Sequence, residues 1–166
     1  MRTLQNQDAV LYFIEKIFPK LKEKFPTIQF HIVGAQPPKS IIKYRDNHSV
    51  FVTGFVDSVD EYIKDSCLLV APIRIAAGIQ NKVLVGLANG VPVILSSVIS
   101  QAIPELVSGE NCFIADNDDD IVNACSQLIS NPNLRGKLSL AGYSIVKENY
   151  SWNVKLEGYE KLDMGE

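Results

Sequence analysis

The stretch from Val70 to Leu95, V-A-P-I-R-I-A-A-G-I-Q-N-K-V-L-V-G-L-A-N-G-V-P-V-I-L, constrains the fold of this chain more than any other. It reads as a strand end, a small-residue loop, a helix, a tight turn and a second strand. Leu68, Leu69 and Val70 form a short apolar run closed by Pro72, the pattern of a strand buried on both faces. Ala76, Ala77 and Gly78 let the loop bring its backbone close to a ligand. A helix is expected to start near Ile79, with its first N–H groups lacking intrahelical partners. Those donors and the helix dipole attract a phosphate or pyrophosphate. Lys82 falls in the first turn, where a cation is disfavoured unless an anion sits beside it. Gly90 stops the helix, and Val91 to Leu95 begins the next strand. The same pattern also fits an ordinary βαβ unit whose loop binds nothing.

Upstream, residues 7–24 carry Ala9, Val10, Phe13, Ile14, Ile17, Phe18 and Leu21 at three- and four-residue spacings. This predicts an amphipathic helix with Asn6 as N-cap. Ile28 to Val33 predicts a strand closed by Gly34, which either admits a ligand to the sheet edge or simply turns the chain. Ile41 to Arg45 predicts a short helix. Val50 to Thr53 predicts a second strand closing at Gly54, Phe55 and Val56. Asp57 or Ser58 then caps a short helix over Val59 to Asp65.

Downstream, Gln101 to Val107 contains Pro104-Glu105-Leu106, where Glu105 reads as the start of a short helix. Asn111 to Ala115 is the last strand. Ile121 to Ile129 and Leu134 to Asn149 are helices separated by Asn131-Pro132-Asn133. Tyr150-Ser151-Trp152 opens a final helix with Ser151 as N-cap. Strands alternating with helices predict an α/β fold, a Rossmann-like parallel sheet flanked by helices.

A chain of 166 residues suits one domain with a real core. A net charge of −3 with no basic block argues against nucleic acid as a partner. The run of Asp116, Asp118, Asp119 and Asp120 reads as a solvated loop and helix start. Cys67, Cys112 and Cys125 lack metal-ligand spacing and read as buried free thiols in a reducing compartment. His31 and His48 have no carboxylate or cysteine at metal spacing, so no metal and no cofactor are expected. No apolar run approaches the length of a transmembrane segment and no signal peptide opens the chain, so the expected location is cytoplasmic.

R-I-A-A-G-I-Q-N-K-V-L-V-G-L-A-N-G-V-P-V-I resembles the donor-site segment of group 1, glycogen-synthase-like GT-B glycosyltransferases, often called family 4. The pattern there is R-x-G-x-G-x-x-x-K-x-L-E-A-x-A-x-G-x-P-V-V. The segment V-T-G-F-V-D-S-V-x-x-Y-I, the P-E-L triplet and the Y-S-W ending are similar to the same family. The resemblance covers Met1 to about Leu162.

The resemblance implies the donor-binding, C-terminal half of a retaining enzyme of hexosyltransferase type, as in polysaccharide biosynthesis. Its partner is a nucleotide-sugar, which is a substrate rather than a cofactor. By resemblance, Arg74, Gly78, Ile79 and Lys82 would hold the donor diphosphate. Arg74 reads equally as a surface residue closing the strand. Gly34, Gly54, Phe55, Val56 and Val85 would lie on the nucleoside and ribose side. No catalytic residue can be named.

Two departures matter. The family glutamate after K-x-L is Val85 here, and an apolar side chain cannot accept hydrogen bonds from ribose. The family alanine beside it is Gly86, and an earlier glutamate of some families is Ala77. The alternatives are a degenerate GT-B module without catalysis, or half of a nucleotide-sugar epimerase. In family members a strand ending in Gly precedes M-R-T-L-Q-N-Q-D-A-V. That first strand and the N-terminal acceptor-binding domain are missing, so the chain is expected to be inactive alone. It reads as either a cut piece of a longer protein or a short natural product. Trp152, Leu156, Tyr159 and Leu162 give the final helix an apolar face, which predicts a homo-oligomer.

Overall fold

The computed structural model describes residues 3–75 and 78–150. The expected final helix, with Trp152, Leu156, Tyr159 and Leu162, lies outside the described residues, as do Ala76 and Ala77. In chain order the elements are α1 (Leu4–Tyr12), a π-helical segment (Phe13–Ile17), α2 (Phe18–Lys24), β1 (Phe30–Val33), α3 (Lys39–Ile42) and a 3-10 turn (Lys43–Asp46). There follow β2 (Val50–Gly54), α4 (Val59–Lys64), β3 (Leu69–Ala71), α5 (Asn81–Ala88), β4 (Val93–Leu95) and α6 (Ser97–Ser100). The series closes with β5 (Phe113–Ile114), α7 (Asp118–Ser130) and α8 (Pro132–Asn149).

Every strand pairing is parallel, as the alternation of strand and helix predicts. The strands form two groups, β1-β2 and β3-β4-β5. Leu69, Val70 and Ala71 pair with Val93, Ile94 and Leu95, and the last two pair with Phe113 and Ile114. All three residues of β4 are buried, which explains its unbroken apolar sequence. Between β1 and β2 the register slips after Ile32, so that Val33 lies opposite Gly54.

The first helix is longer than expected, and Asn6 does not cap it. It begins at Leu4, with Thr3 in the N-cap position and no side-chain cap. The π-helical segment has a local cause. Pro19 has no N–H to give to the carbonyl four residues back, and its ring collides with that carbonyl. The wider turn just before it relieves the conflict and keeps the chain helical. The result is a broad buried face of Phe13, Ile14, Ile17, Phe18 and Leu21. The Phe13 and Phe18 rings lie 4.6 and 5.7 Å from that of Phe30 on β1.

The core is in two parts. One joins the first helix, β1, β2 and α7. The other joins α5, α8, β3 and β4. In the second, Gly142 lets α8 lie directly on α5. A Cβ there would stand 2.6 Å from Leu87 Cδ2 and 3.0 Å from the Asn111 carbonyl oxygen. Leu87 is fully buried, worth about 2–3 kcal/mol of apolar transfer. Gly142→Ala should therefore destabilise the domain by about 1–2 kcal/mol, because overpacking outweighs the gain in helix propensity. Gly136, on the open side of the same helix, has nothing within 4 Å of such a Cβ. Gly136→Ala should stabilise by about 0.5–1 kcal/mol. Denaturation midpoints of the two variants should move in opposite directions; a shared direction would contradict this packing.

The aspartate run opens α7 as expected. Asn117 caps it, accepting the Asp120 N–H at 3.0 Å, and Asp118, Asp119 and Asp120 fill the first turn. Asn131 caps α8 in the same way and Pro132 takes its first position. Other readings need correction. Residues 101–107 are turns, preceded by the unforeseen α6, and Glu105 starts no helix. Cys112 and Cys125 are buried free thiols, but Cys67 is exposed.

Candidate functional site

The central stretch folds nearly as read. β3 ends at Ala71, Pro72 breaks the ladder, and the chain reaches Arg74 and Ile75 at the surface. Gly78 is exposed with φ +71°, a backbone state that favours glycine. Helix α5 starts at Asn81, later than expected, so Gly78 and Ile79 belong to the loop rather than to the first turn. Ile79 packs partly against the second core. Gln80 occupies the N-cap position but makes no side-chain cap, and the first turn holds no acidic residue. The N-terminal amides of α5 therefore have no carboxylate or amide side chain closing them off. Asn89 ends the helix and Gly90 follows with φ +68°.

The two basic residues expected near a diphosphate are both held by α1. The Lys82 Nζ donates to Asn6 Oδ1. Burial pushes the Lys82 ammonium below its usual pKa, because no carboxylate offsets the lost solvation. An arriving anion would restore that lost stabilisation. The Arg74 guanidinium donates from Nε to Asp8 Oδ2 at 3.0 Å and from Nη2 to Asp8 Oδ1. Its centre stands 4.8 Å from the centroid of the Tyr12 ring. The hydrogen bonds to Asp8 raise the Arg74 pKa further. Tyr12 in turn donates its hydroxyl to Asp118 at 2.6 Å. Burial first, then that hydrogen bond, raises the Tyr12 pKa to about 12.

Asn6, Asp8 and Tyr12 were not recognisable as neighbours of the site from the sequence. They lie 66 or more residues from Arg74 and Lys82, apart from Tyr12, whose contact is with a ring face. The one local signal is their spacing on α1, which puts Asp8 and Tyr12 four residues apart on one side.

The residues expected on the nucleoside side, Val85 apart, sit at or just beyond the C-terminal ends of β1 and β2. The Gly34 N–H donates to the Gly54 carbonyl oxygen at 3.2 Å, which joins the two strand ends. Gly54 has φ +78°. Phe55 just beyond it is 76% exposed, while Val56 is half-buried. Val85 is half-buried on α5 and belongs to neither buried core. Its carbonyl oxygen accepts from Asn89 Nδ2 at 2.9 Å, and the same nitrogen reaches Asp60 Oδ1 of α4 at 2.7 Å. Glu105 of the P-E-L triplet accepts the Tyr150 hydroxyl at 2.8 Å. Among the described residues, no three His, Cys, Asp or Glu side chains gather as a metal site would require.

Known structures share this fold. The C-terminal domain of a glycosyl transferase group 1 family protein (LpcC) from Francisella tularensis is 18% identical, with a TM-score of 0.68 over 90% of this chain and 82% of that one. A mutant of TarM from S. aureus, in complex with Fondaparinux, alpha-GlcNAc-glycerol and UDP, is 18% identical, with a TM-score of 0.77 over 97% of this chain. Sucrose-phosphate synthase from Thermosynechococcus elongatus is 16% identical, with a TM-score of 0.72 over 96% of this chain. The chain spans only 33% of the TarM chain and 42% of the synthase chain. No curated protein sequence matches it. The fold is thus that of the C-terminal domain of GT-B glycosyltransferases. The family model described as "Glycosyl transferases group 1" matches residues 1–131, and the chain belongs to that family.

Proposed function

We propose that this chain is the donor-binding domain of a retaining glycosyltransferase that transfers a sugar from a nucleotide-sugar to an acceptor held by a second domain. The observation that carries the reading is the uncapped N-terminus of α5 with half-buried Lys82 in its first turn, after a glycine loop. In this reading the α5 amides and the Gly78 and Ile79 backbone take the diphosphate. Lys82 moves from Asn6 to a phosphate oxygen, and Arg74 supports it with a planar, charged donor set. The exposed Phe55 ring lies on the side expected for the base. The chemistry then rests on positioning and on stabilising the leaving diphosphate. UDP bound to TarM makes uridine diphosphate the first ligand to test.

Calorimetric titration with uridine and guanosine diphosphates tests this. Lys82→Ala should weaken binding by about tenfold, or ~1.4 kcal/mol, since Lys82 must first leave Asn6. Unchanged affinity in that variant would remove Lys82 from the site.

A second reading has its own support. Val85 offers nothing to a ribose, and both cations already have protein partners. A degenerate module that keeps the fold without donor affinity would show no binding heat with either nucleotide.

A further inference from the structure

Helix α1 holds the two bases in different ways. Arg74 is held by a carboxylate. Its Nε and Nη2 both donate to Asp8, and the Tyr12 ring lies 4.8 Å from the guanidinium centre. Leaving that place would break a bidentate ion pair, so Arg74 is fixed. Lys82 is held by a neutral amide. Among the described residues its ammonium donates to Asn6 Oδ1 and pairs with no carboxylate. The two bases also sit apart. Lys82 and Asn6 border one cavity, of about 930 Å³, and Arg74 borders another, of about 270 Å³.

Asn6 and Lys82 are both half-buried. An ammonium in such a place needs an acceptor. A carboxylate would satisfy it but would also neutralise it, and an arriving anion would then have to displace a like charge. An amide oxygen satisfies it and leaves the positive charge unspent. The amide has a second half as well. Asn6 Nδ2 carries two N–H donors and makes no hydrogen bond.

We propose that Asn6 is a positioning residue of the anion site: its Oδ1 holds Lys82 at the start of α5, and when a diphosphate draws the ammonium away, its Nδ2 donates to the same ligand. The inference rests on the diphosphate reading above and adds a residue of α1 to that site. An aspartate of nearly the same size could play neither part, since it would pair with Lys82 and offer no donor.

The test titrates inorganic pyrophosphate and uridine diphosphate into the chain and into Asn6→Asp and Asn6→Ala variants. Asn6→Asp should weaken both ligands by about a hundredfold, because it ties down Lys82 and sets a like charge beside the phosphate. It should also raise the melting temperature. It gives Lys82 a counter-charge and puts an acidic residue into the first turn of α1, which has none. Affinity and stability then move in opposite directions, which a merely structural role would not produce. Asn6→Ala should weaken binding by about fivefold. In NMR spectra of the unaltered chain, pyrophosphate should shift the Asn6 side-chain amide signals together with that of Lys82 Nζ. If the unaltered chain binds neither ligand, the diphosphate reading falls and this inference with it. If it binds, and Lys82→Ala weakens binding while Asn6→Asp does not, the inference alone is overturned. Asn6 amide signals that stay still on saturation with pyrophosphate overturn it too, as does an Asn6→Asp variant that loses stability along with affinity.

Discussion

Raising the pH from about 9 to about 12 is expected to lower the stability of this domain steeply. Burial pushes the thiols of Cys112 and Cys125 from 9.0 up to about 12 in the folded state. In the unfolded chain they return to ordinary values. Between the two, the unfolded chain loses protons that the native state keeps. The native state then binds more protons, so stability falls as pH rises. The contribution is complete below about pH 9 and gone once the pH passes the folded values. Three pKa units correspond to about 4 kcal/mol per thiol. Two such thiols are a sizeable part of the ~5–15 kcal/mol that a whole domain has. Tyr150, raised to about 12 by burial and by its bond to Glu105, acts in the same direction. Denaturation midpoints from pH 7 to 11 should fall steeply above pH 9. A variant with both Cys112→Ala and Cys125→Ala should start less stable at pH 7 and lose less on the way up. Equal slopes for the two proteins would show that the thiols are not the cause.

Val85→Glu should tighten nucleoside diphosphate binding by about tenfold or more, ~1.5–3 kcal/mol for charged hydrogen bonds to ribose hydroxyls. Val85 is half-buried and outside both cores, so a longer side chain can turn outward. Glutamate is also a good helix former. The opposing cost is the Asp60 carboxylate, which reaches Asn89 one turn further along α5. Val85→Gln separates the two effects, since it bonds without charge. The melting temperature should move little in either variant. A sharp fall would mean that Val85 is a packing residue; stable folding with unchanged affinity would mean that the ribose lies elsewhere.

Local signals were legible and distant ones were not. The unit β3, loop, α5 and β4 follows from an apolar run, a proline, and a glycine at φ +68°, all within 26 residues of sequence. The caps Asn117 and Asn131 act within three residues, yet the sequence reading started both helices two or three residues late. Helix α6 was missed because what holds its start is remote: the Ser97 N–H donates to Asp116 Oδ1 at 2.8 Å, from beyond β5. The bonds from Lys82 to Asn6 and from Arg74 to Asp8 span 76 and 66 residues, beyond any window of periodicity. Asn6 instead looked like a cap because its residue type suits one. The sequence reading ran one helix straight through Pro19, and the wider turn before that residue, with Phe18 packed on Phe30, was not foreseen.

That widened turn sets a rotational phase. An α-helix turns about 100° per residue. In the widened turn five residues cover about the angle that four cover in an α-helix. If the same residues wound as ordinary α-helix, Phe18 and Leu21 could keep their places against β1 and α7, but everything before Phe13 would swing by about one residue's angle. Asn6 and Asp8 would then face away from Lys82 and Arg74. The first helix behaves as a keyed shaft: its far end is locked in the core, and a wide turn that absorbs one residue of surplus aims its near end at the two bases.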